Sequence, residues 1–295
     1  MKIGVIINTI KFIYAQSGTE IKKNYVCQDD IINIINPLDE IALEYALALK
    51  DQRPDVSVVA LSLGDKTAEN GLRKCLAVGA DKAVHVRYDE YEKLDSFVSS
   101  AVIASACKRE KFDLILCGAA SIHDNDCTEG PYVAGRLDIP HITGVVHIAV
   151  GSDGRRVEVQ RVIERGDRQV MECDMPALLA IQKGGAIVPR YPTLAGSLNA
   201  QSANITMLSL MDLGFKDTDS LLSMCLMETT AYSNPKPKKK SGTLNVSALS
   251  ADQRIDLVVD RDVSKGKEGG DILEGTSKEV FSRLDTILMN AGIIK

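Results

Sequence analysis

One strand–loop–helix segment near the middle of the chain most constrains its fold. Residues 113–117 are a short apolar run, typical of a buried parallel strand, and residues 132–137 have the apolar spacing of a helix start. The polar loop between them begins at Gly118 and ends at Gly130. Open α/β sheets bind nucleotides where a strand ends and the next helix begins. The loop matches neither of the two common glycine-rich phosphate fingerprints, so the segment predicts a nucleotide loop of another type.

The first 140 residues alternate between predicted strands and helices. The first helix has clear start signals, because Asn36 is a candidate N-cap, Pro37 suits the first turn and Asp39 lies three residues after the cap. A polar loop is predicted between the first strand and this helix. The alternation predicts an α/β fold with a doubly wound, mostly parallel sheet. The predicted strands are residues 3–7, 56–61, 83–86 and 114–117.

The pattern changes after residue 143. Four further runs are expected to add to the sheet edge as antiparallel strands: residues 145–150, 157–163, 169–173 and 177–181. Residues 184–204, rich in Gly, Pro, Ser and Asn, are predicted as a long loop, and residues 231–246 as a linker. Residues 276–279 resemble a capping box, so a terminal helix follows, with Gly292 suited to its C-terminal end. These features divide the chain into an α/β nucleotide-binding domain (residues 1–186), a connecting loop (187–204) and an extended C-terminal arm (205–295).

Composition narrows the function classes. The net charge of −5 gives no general attraction to nucleic acid or to anionic membranes. No apolar run reaches the roughly 18–20 residues of a membrane span, and residues 1–8 are interpreted as the first strand rather than a signal peptide. The seven scattered cysteines without a C-x-x-C pair fit a reducing compartment, so a cytoplasmic location is expected. The four histidines lack metal-ligand spacing, and neither a metal site nor a catalytic residue is predicted.

Five segments in fixed order resemble the electron transfer flavoprotein beta subunit family. Residues 35–42 resemble its Asn-Pro-x-Asp-Glu helix start, residues 58–64 the end of its second strand, and residues 75–86 its Ala-x-Gly-Ala-Asp segment. Residues 161–166, with a Pro-Ala pair downstream, are similar to its signature region, and Pro-Arg-Tyr-Pro-Thr-Leu at residues 189–194 is similar to its partner-recognition loop.

This resemblance implies a Rossmann-like, adenine-nucleotide-binding fold and a heterodimer. An electron transfer flavoprotein alpha subunit would carry FAD, and the pair would pass electrons from acyl-CoA dehydrogenase-type or similar donors to a downstream acceptor. The chain itself would bind AMP or, in the electron-bifurcating branch, a second FAD. Residues 187–204 would then be the partner-recognition loop, and the terminal helix of the arm would dock on the alpha subunit.

The residues expected at these sites fall into two sets. Asn36 is either a helix cap, a nucleotide contact or both. Arg161, Glu164 and Arg165 either form structural salt bridges or lie near the alpha subunit or the flavin. The expected partner-binding residues are Tyr191, Leu194, Arg161, Glu164 and Arg165. The expected cofactor-binding residues are Thr9, Asn36, Pro37, Leu38, Asp39, Ser62, Leu63, Gly64, Gly118, Ala119, Ile122, His123, Asp124, Asn125, Asp126, Cys127, Thr128, Glu129 and Gly130.

The loop departs from both branches of the family. Residues 123–131 read His-Asp-Asn-Asp-Cys-Thr-Glu-Gly-Pro, where AMP-type members have Asp-Asp-Asp-Cys-Asn-Gln-Thr-Gly and bifurcating members Asp-Gly-Asp-Thr-Ala-Gln-Val-Gly-Pro. Asp126 stands at the Thr of the second pattern. Acidic side chains that pointed inward would repel phosphate, so backbone N–H groups and the Thr128 hydroxyl would have to bind it, or the ligand is altered or lost.

The long tail favours the bifurcating branch, but the Gly-Ser-Pro-Thr-x-Val segment common in such tails is not visible. Two alternatives on the same fold are an adenine-nucleotide-binding enzyme and a stress-type ATP-binding module without flavin. The enzyme would have Ser-Gly-Gly character after the first strand, where residues 8–11 read Asn-Thr-Ile-Lys. The long extension and the Pro-Arg-Tyr segment argue against the module.

Overall fold

A computed structural model describes residues 1–13, 21–22, 25–26, 31–122, 125–151, 154–215, 218–227 and 276–290. The chain divides into two compact units, Met1–Asn234 and Pro235–Lys295. The strands of the first unit are β1 (Lys2–Ile6), β2 (Thr9–Ile13), β3 (Ile21–Lys22), β4 (Tyr25–Val26), β5 (Ile31–Ile35), β6 (Ser57–Gly64), β7 (Lys82–Arg87), β8 (Leu114–Gly118), β9 (His141–Val150), β10 (Arg156–Val162), β11 (Arg168–Asp174), β12 (Ala177–Ile181) and β13 (Ile205–Leu208). Its helices are α1 (Pro37–Gln52), α2 (Ala68–Val78), α3 (Ser96–Glu110), α4 (Glu129–Leu137), α5 (Leu194–Ser202) and α6 (Thr218–Ser223).

A nine-stranded sheet forms the centre of the first unit, in the order β11-β10-β9-β12-β8-β1-β6-β7-β13. Neighbouring strands are parallel except on the two sides of β10, which runs against both β9 and β11. The predicted α/β fold with a doubly wound, mostly parallel sheet and antiparallel additions is therefore confirmed. Both faces are buried, because successive side chains of a strand point to opposite faces: Val58 and Ala60 of β6 pack in one core, and Val59 and Leu61 in the other.

Two of the strand predictions differ from the structure: β9 is antiparallel to β10 but parallel to β12, and the prediction for residues 177–181 was wrong in both place and direction. Residues 177–181 were expected as an antiparallel addition at the edge, but β12 lies between β8 and β9 and is parallel to both. All five of its residues are 0–1% exposed. A strand that is apolar along its whole length is typical of the buried interior of a parallel sheet, which explains the position.

Three other segments differ from the predictions. The polar loop expected before α1 includes an antiparallel pair, in which β2 runs beside β5. The loop expected over residues 184–204 contains the helix α5. Residues 205–208, which the sequence assigns to the C-terminal arm, form β13 at the edge of the sheet, parallel to β7.

The described part of the second unit is one helix, α7 (Ser277–Asn290). It begins directly after Thr276, whose carbonyl accepts a hydrogen bond from Val280 N at 3.0 Å, so the predicted terminal helix is confirmed. The apolar side chains of Phe281 and Met289 are exposed. The predicted linker at residues 231–246 and Gly292 lie outside the described residues.

Candidate functional site

The candidate nucleotide site lies where β8, β1 and β6 end. These three strands are adjacent and parallel, so the segments that follow them meet at one edge of the sheet. The start of α1 is tied to this edge, because Asn36 N donates to the carbonyl of Asn8, just after β1, at 2.9 Å. The structure thus brings together the Asn36, Ser62 and Gly118 segments that the sequence singles out.

Asp39 in the first turn of α1 connects two of these strand ends. Its carboxylate accepts a hydrogen bond from Asn8 N at 2.8 Å and another from Gly118 N at 2.7 Å. The side chain is buried, and burial raises its pKa to about 7. The two backbone N–H donors act against this rise, and the negative charge of Glu129 adds to it. Asp39 therefore holds α1 against the ends of β1 and β8, with both oxygens in use.

The prediction that the Asn36 side chain caps α1 was wrong. Asn36 occupies the N-cap position, but its side chain accepts no hydrogen bond from the helix. The amide instead donates to the carbonyl of Ala120 at 3.0 Å and to Asp39 at 3.2 Å, and its oxygen accepts from Ile122 N at 3.4 Å. Asn36 therefore connects the start of α1 to residues 120–122, at the start of the candidate nucleotide loop.

Gly118 is required by this close approach. A Cβ atom at this position would lie 2.5 Å from Asp39 Oδ1, 2.8 Å from Leu38 Cβ and 3.0 Å from Asn36 Nδ2. At the far end of the loop, a Cβ atom on Gly130 would lie 2.8 Å from Cys117 Sγ. Both glycines thus allow the loop to pack on the sheet edge.

The middle of the loop is held together by its own acidic residues. Asp126 Oδ1 accepts hydrogen bonds from Thr128 N at 2.9 Å and from Thr128 Oγ1 at 2.7 Å, and Asp126 Oδ2 accepts from Ser96 Oγ at the start of α3. Glu129, the first residue of α4, accepts from Asn8 Nδ2 at 2.6 Å and from Ser99 Oγ at 3.4 Å. The Thr128 hydroxyl that the sequence assigns to phosphate binding is therefore bonded to a carboxylate.

The other predicted cofactor-binding residues vary in exposure. Leu63 and Gly64 are buried with Ser62 at the end of β6, Ala119 and Leu38 are half-buried, and Pro37 is exposed. Ile122, Asn125 and Cys127 are exposed in the loop, and Asn125 has a left-handed backbone with φ of 58°. His123 and Asp124 lie outside the described residues.

Two buried hydroxyl groups lie near this edge. Within the described part of the chain, Thr9 Oγ1 and Ser62 Oγ are buried and have no hydrogen-bond partner. Buried polar groups are normally paired, so these two atoms fit a ligand that offers neutral hydrogen-bonding groups. The adenosine part of a nucleotide has such groups on its base and ribose.

Sequence reasoning missed three residues of the site, Asn8, Ser96 and Ser99. Asn8 supplies both a backbone and a side-chain donor to the acids of the edge. No local signal identifies it, because its partners are 31 and 121 residues away along the chain. The serines had a weak signal, since they lie in the first turn of α3, directly after its capping residue Asp95.

The predicted partner-binding segment, residues 187–204, is held by ion pairs at Arg190, and the side chains of Tyr191 and Leu194 after it are exposed. Arg190 binds Glu44 at 2.8 Å and Asp51 at 2.7 Å, and these carboxylates raise the pKa of its guanidinium. Tyr191 is 93% exposed and Leu194, the first residue of α5, is 80% exposed. The sequence held a signal for this anchor, because Glu44 and Asp51 lie seven residues apart and therefore on one face of α1.

The three charged residues of the signature region lie at the end of β10 and in the turn that follows it. Among the residues that the structure describes, Arg161, Glu164 and Arg165 form no ion pair. Arg161 lies in β10 with its Nε buried and without a partner there. Glu164 and Arg165 are exposed in the short turn Glu164–Gly166 between β10 and β11, where Arg165 has a left-handed φ of 62°.

Comparisons with known proteins agree with this architecture. A family model described as the electron transfer flavoprotein domain matches residues 26–213. The electron transfer flavoprotein subunit beta of Megasphaera elsdenii is 32% identical over 250 residues, which is 82% of this chain and 91% of the relative. The subunit beta of Bacillus subtilis is 33% identical over 76% of this chain and 84% of its own length.

The chain belongs to the electron transfer flavoprotein beta subunit family. This family carries out electron transfer, so the earlier resemblance is confirmed over most of the chain. Another relative, the caffeyl-CoA reductase-Etf complex subunit CarD of Acetobacterium woodii, is 32% identical over 65% of this chain and 72% of its own length. Within the described ranges no three His, Cys, Asp or Glu side chains are arranged to hold a metal ion, and none of the helices is long and apolar enough to span a membrane.

Proposed function

We propose that this chain is the beta subunit of a heterodimeric electron transfer flavoprotein in the cytoplasm. Its alpha subunit holds FAD, and this chain provides a nucleotide site and docking surfaces rather than bond-making chemistry. The complex carries electrons from an acyl-CoA dehydrogenase-type or similar donor to a downstream acceptor. The observation that carries the proposal is the match over 91% of the length of a curated beta subunit.

The ligand of this chain is AMP or the adenosine diphosphate part of a second FAD, and it lies at the edge formed by β8, β1 and β6. The free hydroxyls of Thr9 and Ser62 support contacts with base or ribose. The loop that begins at Gly118 lies on the phosphate side, because it leads into the N-terminus of α4. A second FAD would supply redox chemistry at this edge, whereas AMP would stabilise it.

The segment after Arg190 is the proposed docking surface for the electron donor. An exposed apolar side chain next to a fixed backbone segment is a good contact residue, because little conformational entropy is lost when it binds. The ion pairs of Arg190 with Glu44 and Asp51 fix the backbone segment, and Leu194 is the exposed apolar side chain. Arg161, Glu164 and Arg165 are assigned to the alpha-subunit side, and so is the terminal helix α7.

The decisive experiment is co-expression with the corresponding alpha subunit, followed by measurement of flavin and AMP per heterodimer. Two FAD and no AMP would assign a second flavin to this chain and place it in the bifurcating branch. One FAD with one AMP would assign it to the AMP-type branch. If no flavin-containing complex forms, the proposed function is wrong.

Leu194→Ala tests the docking surface separately. We expect the KM of the complex for its donor dehydrogenase to rise about 10-fold or more, because an anchor contributes about 2 kcal/mol when truncated. Leu226→Ala is the matched control, since Leu226 is also exposed (73%) but lies on another segment. Equal KM values for Leu194→Ala and the control would contradict the assignment, whereas flavin content should stay unchanged in both variants.

A further inference from the structure

The Asp126 carboxylate accepts hydrogen bonds from the donors that a phosphate would need at the start of α4. It accepts from Thr128 N at 2.9 Å, from Thr128 Oγ1 at 2.7 Å and from Ser96 Oγ, and it also accepts from the backbone N–H of Cys127. Backbone N–H groups and hydroxyls before a helix are the groups that bind phosphate in other α/β proteins. In this protein those donors already bind the negatively charged side chain of Asp126.

The hydrogen bonds keep this carboxyl ionised. Partial burial disfavours the charge, but the hydrogen bonds from Ser96, Thr128 and Cys127 outweigh it and hold the pKa of Asp126 below its usual value. The group is therefore a permanent anion at neutral pH. It occupies the place where the N-terminal end of α4 favours negative charge.

Among the described residues around Asp126, two are unfavourable for a second anion. Glu129 places another carboxylate at the first position of α4, within 2.6 Å of Asn8 Nδ2. Pro131, two residues further, has no backbone N–H to donate. A phosphate would have to displace Asp126 and then lie beside the Glu129 carboxylate.

We propose that Asp126 is an internal substitute for the phosphate of the ligand, so that affinity at this edge comes from the adenosine part alone. The inference rests on the proposed function, since it concerns the ligand of the same site. The free Thr9 and Ser62 hydroxyls remain for the adenosine part. AMP then binds no more tightly than adenosine.

The test is equilibrium dialysis of adenosine and of AMP with the nucleotide-stripped heterodimer. We expect equal or weaker binding of AMP in the wild type. Asp126→Thr should raise the AMP affinity about 10-fold or more, because charge-assisted hydrogen bonds contribute about 1.5–3 kcal/mol and the donors become available. The adenosine affinity should not change. Asp126→Asn, which keeps the shape and removes the charge, should give a smaller rise in AMP affinity.

Asp138→Asn is the matched control, because it removes the same charge from the opposite end of α4, at a left-handed position that Asn tolerates. Its ratio of AMP to adenosine affinity should equal that of the wild type. A wild type that binds AMP 10-fold more tightly than adenosine would overturn the proposal, and so would an unchanged ratio in Asp126→Thr. If the wild type binds neither ligand, AMP binding by Asp126→Thr supports the proposal and its absence overturns it.

Failure of the proposed function is a separate result, seen as the lack of a flavin-containing heterodimer. Equilibrium dialysis with the full chain alone would then still measure how Asp126 changes the ratio of AMP affinity to adenosine affinity.

Discussion

Two helices begin at the carboxyl edge of the sheet, and the carboxylates near their starts lie in different environments. At α1, Asp39 is 1% exposed and accepts two backbone N–H groups from neighbouring strand ends. At α4, Asp126 is half-buried in the preceding loop and accepts from Thr128 and Ser96. Burial raises the pKa of Asp39 to about 7, whereas the hydrogen bonds keep the pKa of Asp126 below its usual value despite partial burial.

The difference shows that donors alone do not decide what an acid does at a helix start. Both carboxylates are well supplied with hydrogen bonds, so the depth of burial decides the outcome. The buried acid ties α1 to β1 and β8 and belongs to the framework of the site. The half-buried acid lies in the candidate nucleotide loop, where the proposed ligand phosphate would compete with it for the same donors.

The pH dependence of stability gives the largest test of this contrast, through Asp39→Asn. The pKa of Asp39 is about 7 in the folded chain and 3.8 in the reference state. Between these values the unfolded chain has lost a proton that the folded chain keeps, so stability falls as pH rises through this window and is constant outside it. Asp39→Asn has no titrating group at this position, so its stability does not fall for this reason as the pH rises. We expect its stability relative to the wild type to increase by about 4 kcal/mol from pH 4 to pH 7.5.

Urea unfolding at several pH values measures this gap, and contributions from all other groups cancel between the two proteins. Asp167→Asn, at an exposed turn, is the control and should keep a nearly constant gap to the wild type. A gap that does not vary with pH in Asp39→Asn would show that Asp39 is not the buried acid described here.

The next effect in size concerns the close approach at Gly118. In Gly118→Ala the new methyl group meets Asp39 and Leu38 at 2.5–2.8 Å, so α1 has to move away from β8. We expect a loss of about 3 kcal/mol, the upper range for overpacking of a tight site. Gly135→Ala in α4 is the control, because nothing lies within 4 Å of its new methyl group, and it should be neutral or slightly stabilising. Equal unfolding midpoints for the two variants would contradict the close contact.

The regular part of the fold follows from local patterns, and the exceptions depend on distant residues. Alternating apolar runs predict the parallel strands up to β8, because each pattern is complete within its own segment. The insertion of β12 beside β8 is a tertiary event, for which the only local signal is a strand apolar on both faces. The helix α5 is rich in poor helix formers and depends on Arg73, which donates to the carbonyls of Ala200 at 2.7 Å and Gln201 at 3.0 Å.

The site divides in the same way. Chain order predicts that the Asn36, Ser62 and Gly118 segments meet at one edge, because parallel strands end on the same side. The hydrogen-bond partners within the edge could not be predicted. Asn36 is a typical capping residue, and only the approach of residues 120–122 turns its amide toward the loop. Likewise, nothing local to Thr128 shows that Asp126 takes its hydroxyl.

The smallest expected effect is the difference in unfolding free energy between Asn36→Ala and Thr128→Ala, which compares the starts of α1 and α4 directly. Asn36 is 1% exposed, and its removal leaves the Ala120 carbonyl and Ile122 N without their partner. We expect a loss of about 2 kcal/mol, since unpaired buried groups cost about 1–3 kcal/mol each. Thr128 occupies the equivalent position before α4 but is exposed and does not cap the helix with its side chain, so its variant should lie within about 0.5 kcal/mol of the wild type. Urea unfolding of both variants at one pH measures the pair. If Thr128→Ala proved as destabilising as Asn36→Ala, the loop before α4 would contribute to stability as much as the start of α1, and the distinction between a buried start at α1 and an exposed start at α4 would fail.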